Sequence, residues 1–551
     1  MADGNSHAVW LRDLSGGFID FSRASPYDAP ERHLNREVFP MEASPVLVVG
    51  ATGYVGGRLI PLLLASGYRV RATARSVDKL ASRAWSGHPG AEMVAADVLD
   101  AESLNRAADG CRAAVYLVHS MTSSGEKFVD ADRIAARNMV AAAAAGGLDQ
   151  IIYLGGLGES GGGELSPHLA SRREVGEILQ AGPVPTTVLR AGAILGSGSA
   201  SFEILRYSVE RFPVMLAPRW VRTRNQPIAV RNVLYYIRGC LESPATRGET
   251  FDIGGPDVLT YQGLAEIFAE EARLPRRIIV PVPFVPPALG AWLIHMLTPV
   301  PVGYARPLVE GIRNEAICTE HRIRDLIPQE LAALREAIRT ALRGADDGET
   351  ETCWSDAGCL MPPEWAYCGD AEYTGGTVLE VGYRAVVEGS PERLWPVVAR
   401  LGGRTGYYYG RPLWRIRGWM DRITGGPGLI RGRRDPVNLQ VGDAVDFWRV
   451  LSVEPPRRLH LLSEMRAPGE AVFEMDLEPA AGGATELQLR SRFEPKGLAG
   501  LIYWYGLFPV HQAVFRGMLV AMAERAGCTL RSPPERFTPA IPDACPPPWR
   551  W

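Results

Sequence analysis

The chain has 551 residues, of which 46% are hydrophobic and 22% charged, so it is neither a mostly disordered chain nor a collagen or coiled coil. This length indicates about two to four domains. The formal net charge of −3 provides no overall basic field, and we expect no nucleic-acid partner. The eight cysteines follow no disulfide or zinc-binding pattern, which favours a cytoplasmic protein without a metal site.

Residues 1–44 are predicted to be a polar N-terminal extension. They carry charges throughout and contain no apolar core of the length that a secretory signal needs. Elsewhere, no run of about 18 uncharged apolar residues predicts a membrane-spanning helix.

Residues 45 to about 272 alternate short apolar runs with helical stretches, and the domain that contains them is predicted to span residues 45–345. This alternation predicts an α/β Rossmann-type, doubly wound parallel sheet with helices on both faces. Such a sheet binds its ligand at the carboxyl ends of its strands. The predicted strands are Val46–Val49, Tyr68–Thr73, Met93–Ala95, Ala114–Val118, Gln150–Leu154 and Thr186–Leu189, and the predicted helices are Val55–Ala65, Leu104–Ala108 and Val129–Ala145. The proline-rich residues 275–307 are expected to form an irregular packed arm, followed by a helix over Pro328–Arg343.

The sharpest motif follows the first predicted strand and contains Gly50, Gly53 and Gly56. Gly50 permits a tight turn, Gly53 lets a pyrophosphate approach the backbone, and Gly56 lets the next helix pack closely on the strand. The N-terminus of that helix offers N–H groups and a positive dipole end to phosphates. The strand–turn–helix context therefore predicts a dinucleotide-binding site.

The residues after the second strand decide which nicotinamide cofactor is expected. An acidic residue there binds the ribose hydroxyls of NAD, whereas this chain has Arg75, Ser76 and Lys79. A guanidinium, a hydroxyl and an ammonium group suit a 2′-phosphate, which predicts NADP(H). The alternative is that Arg75 and Lys79 are ordinary solvated charges. Asp97 ends the third strand, where its carboxylate can meet the adenine edge.

Four segments resemble the NmrA-like atypical short-chain dehydrogenase/reductases over residues 45 to about 330, namely G-A-T-G-Y-V-G-G, R-A-T-A-R-S, A-A-D-V and V-Y-L-V-H-S. The resemblance implies that the pyrophosphate is held by Gly50, Thr52, Gly53, Tyr54, Val55 and Gly56. It places Arg75 at the 2′-phosphate and Asp97 and Val98 beside the adenine. It places Leu117, Val118 and His119 along the ribose and nicotinamide.

The chain departs from this family at the proton donor. The family's tyrosine and lysine, spaced Y-x-x-x-K, correspond in position to His168 and Arg172. His168 is a candidate acid because histidine titrates near neutral pH, and Arg172 is a candidate for fixing the ribose or an oxyanion. The alternative is an exposed polar histidine without a role. Tyr153, inside a strand, is expected to be core.

Residues 346–373 are predicted to be a linker, residues 374–530 a second domain and residues 531–551 a proline-rich tail. Antiparallel strand patterns and a long final helix, Leu498–Ala526, predict an α+β fold for the second domain. This region resembles an uncharacterised domain often fused behind such reductases, which is similar to the START/SRPBCC helix-grip fold. Helix-grip domains enclose an apolar cavity, and Tyr503, Trp504, Tyr505, Phe508 and Phe515 are candidates to line it or to pack against the first domain.

Residues 404–434 combine eight arginines, one acidic residue and several aromatic side chains. This composition is typical of a membrane surface, an anionic ligand site or a single-stranded nucleic-acid site. The alternative is a solvated arginine face over an aromatic core. Of the three kinds of site, we expect a peripheral membrane contact.

These features predict an NAD(P)H-dependent oxidoreductase that transfers a hydride to an apolar, quinone-like or conjugated carbonyl compound. Such acceptors need a tuned acid less than simple ketones do, which fits the missing tyrosine. The alternative is a non-catalytic, NADP-sensing or lipid-binding regulatory protein. We further expect the second domain to cover the nicotinamide and exclude water. The alternative is that the two domains are independent of each other and joined by a flexible acidic linker at residues 344–352.

Overall fold

The computed structural model describes residues 10–12, 18–20, 44–118, 127–158, 165–282, 286–346, 352–357, 378–429 and 431–537. The chain divides into two compact units, residues 1–40 and residues 41–551. In the first unit, the described residues are two short antiparallel strands, β1 (Trp10–Arg12) and β2 (Phe18–Asp20). The polar composition of residues 1–44 did not indicate this strand pair.

A seven-stranded parallel sheet organises the first part of the second unit. Its strands are β3 (Val46–Val49), β4 (Val70–Ala74), β5 (Ala91–Ala95), β6 (Ala113–Tyr116), β7 (Gln150–Gly156), β8 (Thr186–Ala191) and β13 (Thr250–Ile253). The strand order is β13-β8-β7-β6-β3-β4-β5, and every neighbouring pair is parallel. The chain changes direction across the sheet at β3, which creates a topological switch point between β3 and β6. The predicted Rossmann-like parallel sheet is confirmed.

Helices connect these strands. They are α1 (Gly56–Ala65), α2 (Val77–Ala81), α3 (Ala101–Ala108), α4 (Lys127–Ala145), α5 (Pro167–Gln180), α6 (Ala200–Arg211) and α7 (Val230–Glu242). The three predicted helices are present with slightly shifted ends. Helix α3 begins at Ala101, earlier than predicted, because the Asp100 carboxylate accepts a hydrogen bond from the Glu102 N–H at 3.0 Å and caps the first turn.

Residues 194–346, which follow β8 and include β13, also form short strand pairs and further helices outside the parallel sheet. The pairs join β9 (Ile194–Leu195) to β12 (Ile228–Ala229), β10 (Val214–Pro218) to β15 (Ile278–Val282) and β11 (Arg224–Asn225) to β14 (Leu259–Thr260). The helices are α8 (Tyr261–Glu271), α9 (Pro287–Leu297), α10 (Val302–Gly311), α11 (Arg322–Leu326) and α12 (Leu334–Asp346).

The expectation of an irregular arm at residues 275–307 was wrong. The segment contains β15, α9 and the start of α10. Its prolines are compatible with helices because Pro286 and Pro301 precede α9 and α10, and Pro287 opens α9. The missing N–H costs no intrahelical hydrogen bond at these positions. The helix predicted over Pro328–Arg343 begins only at Leu334.

A second seven-stranded sheet organises the C-terminal part, and all of its pairings are antiparallel. Its strands are β16 (Leu379–Val387), β17 (Ala444–Val445), β18 (Trp448–Glu454), β19 (Arg458–Ser463), β20 (Gly469–Ala480), β21 (Ala484–Pro495) and β22 (Glu535–Phe537). The strand order is β17-β18-β19-β20-β21-β16-β22. The first strand of the domain thus pairs with the last long strand. Strand β22 lies within the predicted proline-rich tail, residues 531–551, and pairs with β16 at the edge of the sheet.

Three helices accompany this sheet, α13 (Pro391–Ala399), α14 (Arg411–Ile423) and α15 (Gly497–Arg525). Helix α15 matches the predicted long final helix within one residue at each end. Its inner face buries Trp504, Phe515, Met518 and Met522 among the side chains of the sheet. The antiparallel sheet and the long helix are therefore as predicted, and the helix-grip assignment stays a prediction.

Candidate functional site

The glycine turn after β3 has the geometry that a phosphate loop requires. Gly50 has φ +94°, in the left-handed region that favours glycine, and its carbonyl accepts a hydrogen bond from the Gly53 N–H at 3.0 Å. A Cβ atom on Gly56 would lie 2.3 Å from the Gly50 carbonyl oxygen, so no larger residue fits there. Helix α1 begins at Gly56 and opens onto a cavity.

This cavity has a volume of about 1150 Å³ and runs from the carboxyl ends of the parallel strands to α6, α9 and α10. It exceeds the ~300–1,000 Å³ of most small-molecule sites, which leaves room for a dinucleotide and a second ligand. Among the predicted cofactor-binding residues, those that line it are Gly50, Thr52, Gly53, Tyr54, Val55, Gly56, Arg75, Asp97, Val98, Leu117 and Val118. His119 lies outside the described residues.

Of the three candidates for the 2′-phosphate, only Arg75 reaches this cavity. It is exposed and follows β4 directly. Ser76 is the N-cap residue of α2 and is not among the residues that line the cavity. Lys79 is 3% exposed and its ammonium group donates to the carbonyl oxygen of Asp356, so its interpretation as a phosphate ligand was wrong.

The predicted adenine side is held by local hydrogen bonds. The Asp97 carboxylate accepts from the Leu99 N–H at 3.0 Å, and the Asn138 amide donates to the Val98 carbonyl oxygen at 2.9 Å. Asp97 is the only acidic residue among the described residues that line the cavity, whereas Arg75 and Arg172 both line it. The cavity therefore favours an anionic ligand.

His168 and Arg172 lie on successive turns of α5 and both line the cavity. Burial, helped by the nearby Arg172 charge, lowers the pKa of His168 to about 3. The imidazole is therefore neutral at pH 7, and the expectation that it titrates near neutral pH was wrong. Tyr153 is not an alternative acid. It is buried outside the cavity lining, its hydroxyl donates to the Arg172 carbonyl oxygen at 3.2 Å, and burial raises its pKa to about 12.

The Arg172 guanidinium is held in place at the end of β7. Its Nη1 donates to the Leu154 carbonyl oxygen at 3.2 Å. Its Nε is buried and has no hydrogen-bond partner among the described residues. A fixed cation that lines the cavity can stabilise negative charge that develops on a ligand.

The far end of the cavity is apolar and is built by α6, α8, α9 and α10. Its larger side chains are Ile204, Leu205, Phe212, Met215, Leu289, Leu293, Ile294, Leu297, Tyr304 and Leu308. Among the described residues, none from 378 to 537 lines this cavity. The expectation that the second domain covers the nicotinamide was therefore wrong. The proline-rich segment folds into helices α9 and α10, and residues of these helices line the cavity instead.

Trp354 completes the cavity wall and was missed because it lies in the predicted linker. Its ring contacts that of Tyr304 edge-on, with the ring centroids 5.2 Å apart, and its backbone N–H donates to the Gly198 carbonyl oxygen at 2.8 Å. Two residues before it, Thr352 accepts a hydrogen bond from Arg58 Nε at 2.8 Å and donates to the Tyr54 carbonyl oxygen at 2.8 Å. Residues 352–357 thus hold the glycine turn from outside.

The same segment joins the two sheets. Arg449, on β18, donates to the Ser355 carbonyl oxygen at 2.8 Å, and Arg83 lies 3.7 Å from the Asp356 carboxylate. Arg83 also donates to the Gln440 amide oxygen at 2.9 Å. These buried contacts contradict two independent bodies on a flexible linker.

A second cavity, of about 340 Å³, lies between α14, α15 and the antiparallel sheet. Tyr503, Trp504 and Phe515 line it as expected, but Tyr505 is 63% exposed and Phe508 lies outside the lining. His511 also lines it. Burial, with a contribution from Arg417, lowers the His511 pKa to about 3, and its Nδ1 has no partner among the described residues.

The family comparisons separate the two parts of the chain. Residues 50–207 match a family described as NAD(P)H-binding, and residues 374–518 match a family described as a protein of unknown function, DUF2867. The first part is an NAD(P)H-binding Rossmann domain. Within the described residues, no helix combines the length and apolar character needed to cross a membrane.

Among curated proteins, the chain is 30% identical over 117 residues to cinnamoyl-CoA reductase 1 of Petunia hybrida, which covers 20% of this chain and 35% of the relative. It is 24% identical over 300 residues to the mitochondrial NADH dehydrogenase [ubiquinone] 1 alpha subcomplex subunit 9 of Arabidopsis thaliana. This match covers 52% of this chain and 74% of the relative. The chain thus spans about a third of the first relative and three quarters of the second. Among solved structures, it is similar to a Citrobacter triphenylmethane reductase complexed with NADP(H), with TM-score 0.44 and 21% identity over 54% of this chain and 99% of that one.

Proposed function

We propose that the protein is an NADPH-dependent oxidoreductase that transfers a hydride to an apolar, quinone-like or conjugated carbonyl compound. The observation that carries the proposal is one cavity with two unlike ends. The glycine turn and Arg75 form a phosphate-binding end, and side chains of α6, α9 and α10 form an apolar end. We propose domain boundaries at residues 45–345 and 374–530, and a helix-grip fold for the second domain, supported by the pairing of β16 with β21 and by the long helix α15.

The preference for NADPH follows from the charges around the adenosine end. Arg75 follows β4, where an acidic residue would bind ribose hydroxyls, and its guanidinium is a bidentate partner for a phosphate. We expect Arg75 alone to recognise the 2′-phosphate, because Lys79 is bonded to Asp356.

The chemistry follows from Arg172 and from the neutral His168. A bound nicotinamide supplies the hydride. Arg172 stabilises the negative charge that grows on the acceptor oxygen, and the surrounding apolar side chains exclude water. Since neither His168 nor Tyr153 is an acid suited to neutral pH, we expect an acceptor whose reduced anion is stabilised by conjugation. Such an anion can leave the cavity and take its proton from solvent outside it.

The test is NADPH consumption by the full-length protein against quinones, enones and enals. We expect turnover with apolar conjugated acceptors. In Arg172→Gln, kcat should fall roughly a hundredfold, the cost of removing one oxyanion donor. NADPH affinity should stay within about threefold, because the cofactor phosphates are assigned to the glycine turn and Arg75. Arg173→Gln, at an exposed position on the same helix, is the matched control. Equal kcat in wild type and Arg172→Gln would contradict the assigned role.

The second candidate function is a regulatory protein that binds NADP and a lipid without turnover. The separate apolar cavity of about 340 Å³ in the second domain favours it, since hydride transfer in the first cavity makes no use of that space. Tight NADPH binding with no consumption of NADPH by any acceptor would support this candidate and refute the reductase.

A further inference from the structure

We propose that α9, α14 and the N-terminal half of α15 form a surface that docks onto an anionic lipid bilayer, and that the acceptor enters the large cavity from that bilayer. Docking is inferred from exposed apolar side chains and from charge alone. The route of the acceptor rests on the proposed reductase function.

Helix α14 is an inverted amphipathic helix. Its buried residues are Trp414, Gly418, Asp421 and Arg422. Apart from the buried Trp414, its large apolar side chains are between 42% and 64% exposed, namely Leu413, Ile416, Trp419, Met420 and Ile423. Spacings of three and four residues place them on one stripe. A surface helix of a protein that remains in water carries the opposite pattern.

The buried polar groups of α14 have structural partners, which explains the inversion. The Asp421 carboxylate accepts from the backbone N–H groups of Gly428 and Arg466, each at 2.8 Å. The Arg422 guanidinium donates to the Thr298 carbonyl oxygen at 2.9 Å, at the end of α9. The side chains of Asp421 and Arg422 are therefore fixed inward. Leu413, Ile416 and Met420 line the second cavity, yet among the described residues they remain at least 42% exposed.

The neighbouring helices extend the same surface. Residues 497–510 of α15 include no charged side chain, and Leu498, Ile502 and Tyr505 are 63–72% exposed. On α9, Leu289, Trp292 and Leu293 are 40–47% exposed. The Arg422 contact joins α9 to α14, and α14 and α15 together line the second cavity. Three adjacent helices thus expose apolar side chains.

The surrounding charge selects a lipid surface over other partners. Arg404, Arg411, Arg415 and Arg466 are exposed, and none of them has an ion pair within the described residues. The one acidic residue in 404–434, Asp421, is buried. Arginines beside apolar and aromatic side chains on helices too short to span suit an interfacial position on anionic phospholipids.

We infer that the large cavity opens at this surface, because two residues of α9 belong to both. Leu289 and Leu293 are partly exposed and at the same time line the cavity of about 1150 Å³. A bilayer in contact with α9 would therefore meet the apolar end of that cavity. An acceptor dissolved in the bilayer would pass from lipid to protein without crossing water.

The docking test is flotation of the full-length protein with vesicles of phosphatidylcholine alone or with 30% phosphatidylglycerol, chosen as roughly the anionic content that attracts basic surfaces. We expect binding to the anionic vesicles that weakens with salt. Trp419→Gln/Ile423→Gln should weaken binding about tenfold, because apolar insertion is lost. Arg411→Ser/Arg415→Ser should remove the preference for anionic lipid. The control Ile134→Gln/Val258→Gln replaces two exposed apolar residues elsewhere and should bind as wild type.

Two results would overturn docking. One is no binding of wild type to either vesicle. The other is a wild-type dimer in solution that Trp419→Gln/Ile423→Gln converts to monomer without changing vesicle binding, which would show that a second copy covers the surface.

The route of the acceptor is tested with a short-chain, water-soluble quinone and a long-chain quinone held in the anionic vesicles. Trp419→Gln/Ile423→Gln should keep the wild-type rate with the soluble quinone and lose about tenfold with the embedded one, in step with its loss of vesicle binding. Equal rates with the embedded quinone would refute the route. If wild type reduces neither quinone while still floating with vesicles, the reductase proposal fails and docking stands.

Discussion

The two cavities of this protein are built from different parts of the chain. One end of the large cavity is framed by backbone, namely the glycine turn, the N-terminus of α1 and the carboxyl ends of parallel strands, and its far end by apolar side chains. The smaller cavity is framed by aromatic side chains of α14, α15 and an antiparallel sheet. A parallel sheet creates a ligand site wherever its strand order reverses, because several strand ends meet there. An antiparallel sheet does not, so its cavity depends on which side chains fill the space beneath the helix.

The largest effect is expected when a side chain is introduced into the glycine turn of the large cavity. In Gly56→Val, the Cβ atom would lie 2.3 Å from the Gly50 carbonyl oxygen, so the turn must open. We expect NADPH affinity to fall roughly a hundredfold or more, measured by fluorescence titration. Gly303→Ala, where a Cβ meets nothing within 4 Å, is the control. Near-UV circular dichroism establishes that the aromatic C-terminal core remains folded. Wild-type affinity in a folded Gly56→Val would show that the turn does not hold the cofactor.

The charge at the adenosine end gives the next largest effect. Arg75→Asp replaces the proposed phosphate ligand with a carboxylate and should lower NADPH affinity by roughly thirtyfold while sparing NADH, measured by calorimetry. Arg247→Asp, at an exposed position outside the cavity, should leave both affinities unchanged. If wild type binds NADPH and NADH equally, Arg75 is an ordinary solvated charge.

The tryptophan from the predicted linker gives a moderate effect confined to the large cavity. Trp354→Phe should raise KM for the apolar acceptor by about three- to tenfold, because the wall against Tyr304 loses area, and should leave the NADPH dissociation constant unchanged. Trp395→Phe, in the other domain, is the matched control. A rise in the NADPH dissociation constant of Trp354→Phe would instead place Trp354 against the cofactor.

The smallest effect concerns the side-chain cavity. His511 has an ordinary pKa of 6.5 and a folded pKa of about 3, so between these values the unfolded chain binds a proton that the folded chain does not. The free energy of unfolding therefore falls as pH drops from 6.5 toward 3. His511→Phe and His511→Gln should both reduce this slope in urea titrations. At pH 7.5, His511→Phe should change stability by about 1 kcal/mol or less, since it removes a buried polar atom without a partner. An unchanged slope in both variants would show that His511 binds its proton equally well in the folded and the unfolded protein.

The sequence predicted the backbone-framed cavity far better than the side-chain-framed one. The first sheet and most of the predicted cofactor-binding residues could be predicted from the sequence. Their signals are local, namely the apolar strand runs and the positions of Gly50, Gly56 and Arg75. Helices α9 and α10 could not be predicted, because prolines usually indicate irregular structure. Here Pro287 lies in the first turn of α9, and α10 accommodates Pro307 in its interior. The His168 pKa was also out of reach, since it depends on burial beneath distant segments.

The second domain shows the same limit. Its strands and α15 follow from alternation and apolar length. The inversion of α14 does not, because its arginine-rich sequence has the composition of a solvated helix. Only the hydrogen bonds of Asp421 and Arg422 show which face is inward. Trp354 likewise carried no signal, since its place in the cavity wall depends on contacts with Tyr304 and Gly198.

The most direct test of the central claim is transfer of deuterium from NADPH labelled at C4 of the nicotinamide to an apolar enone, followed by mass spectrometry and NMR of the product. If one cavity holds both ligands in a fixed orientation, the label passes to the β-carbon of the enone from only one of the two C4-labelled forms. Absence of label in the product, with NADPH bound to the protein, would contradict hydride transfer in this cavity.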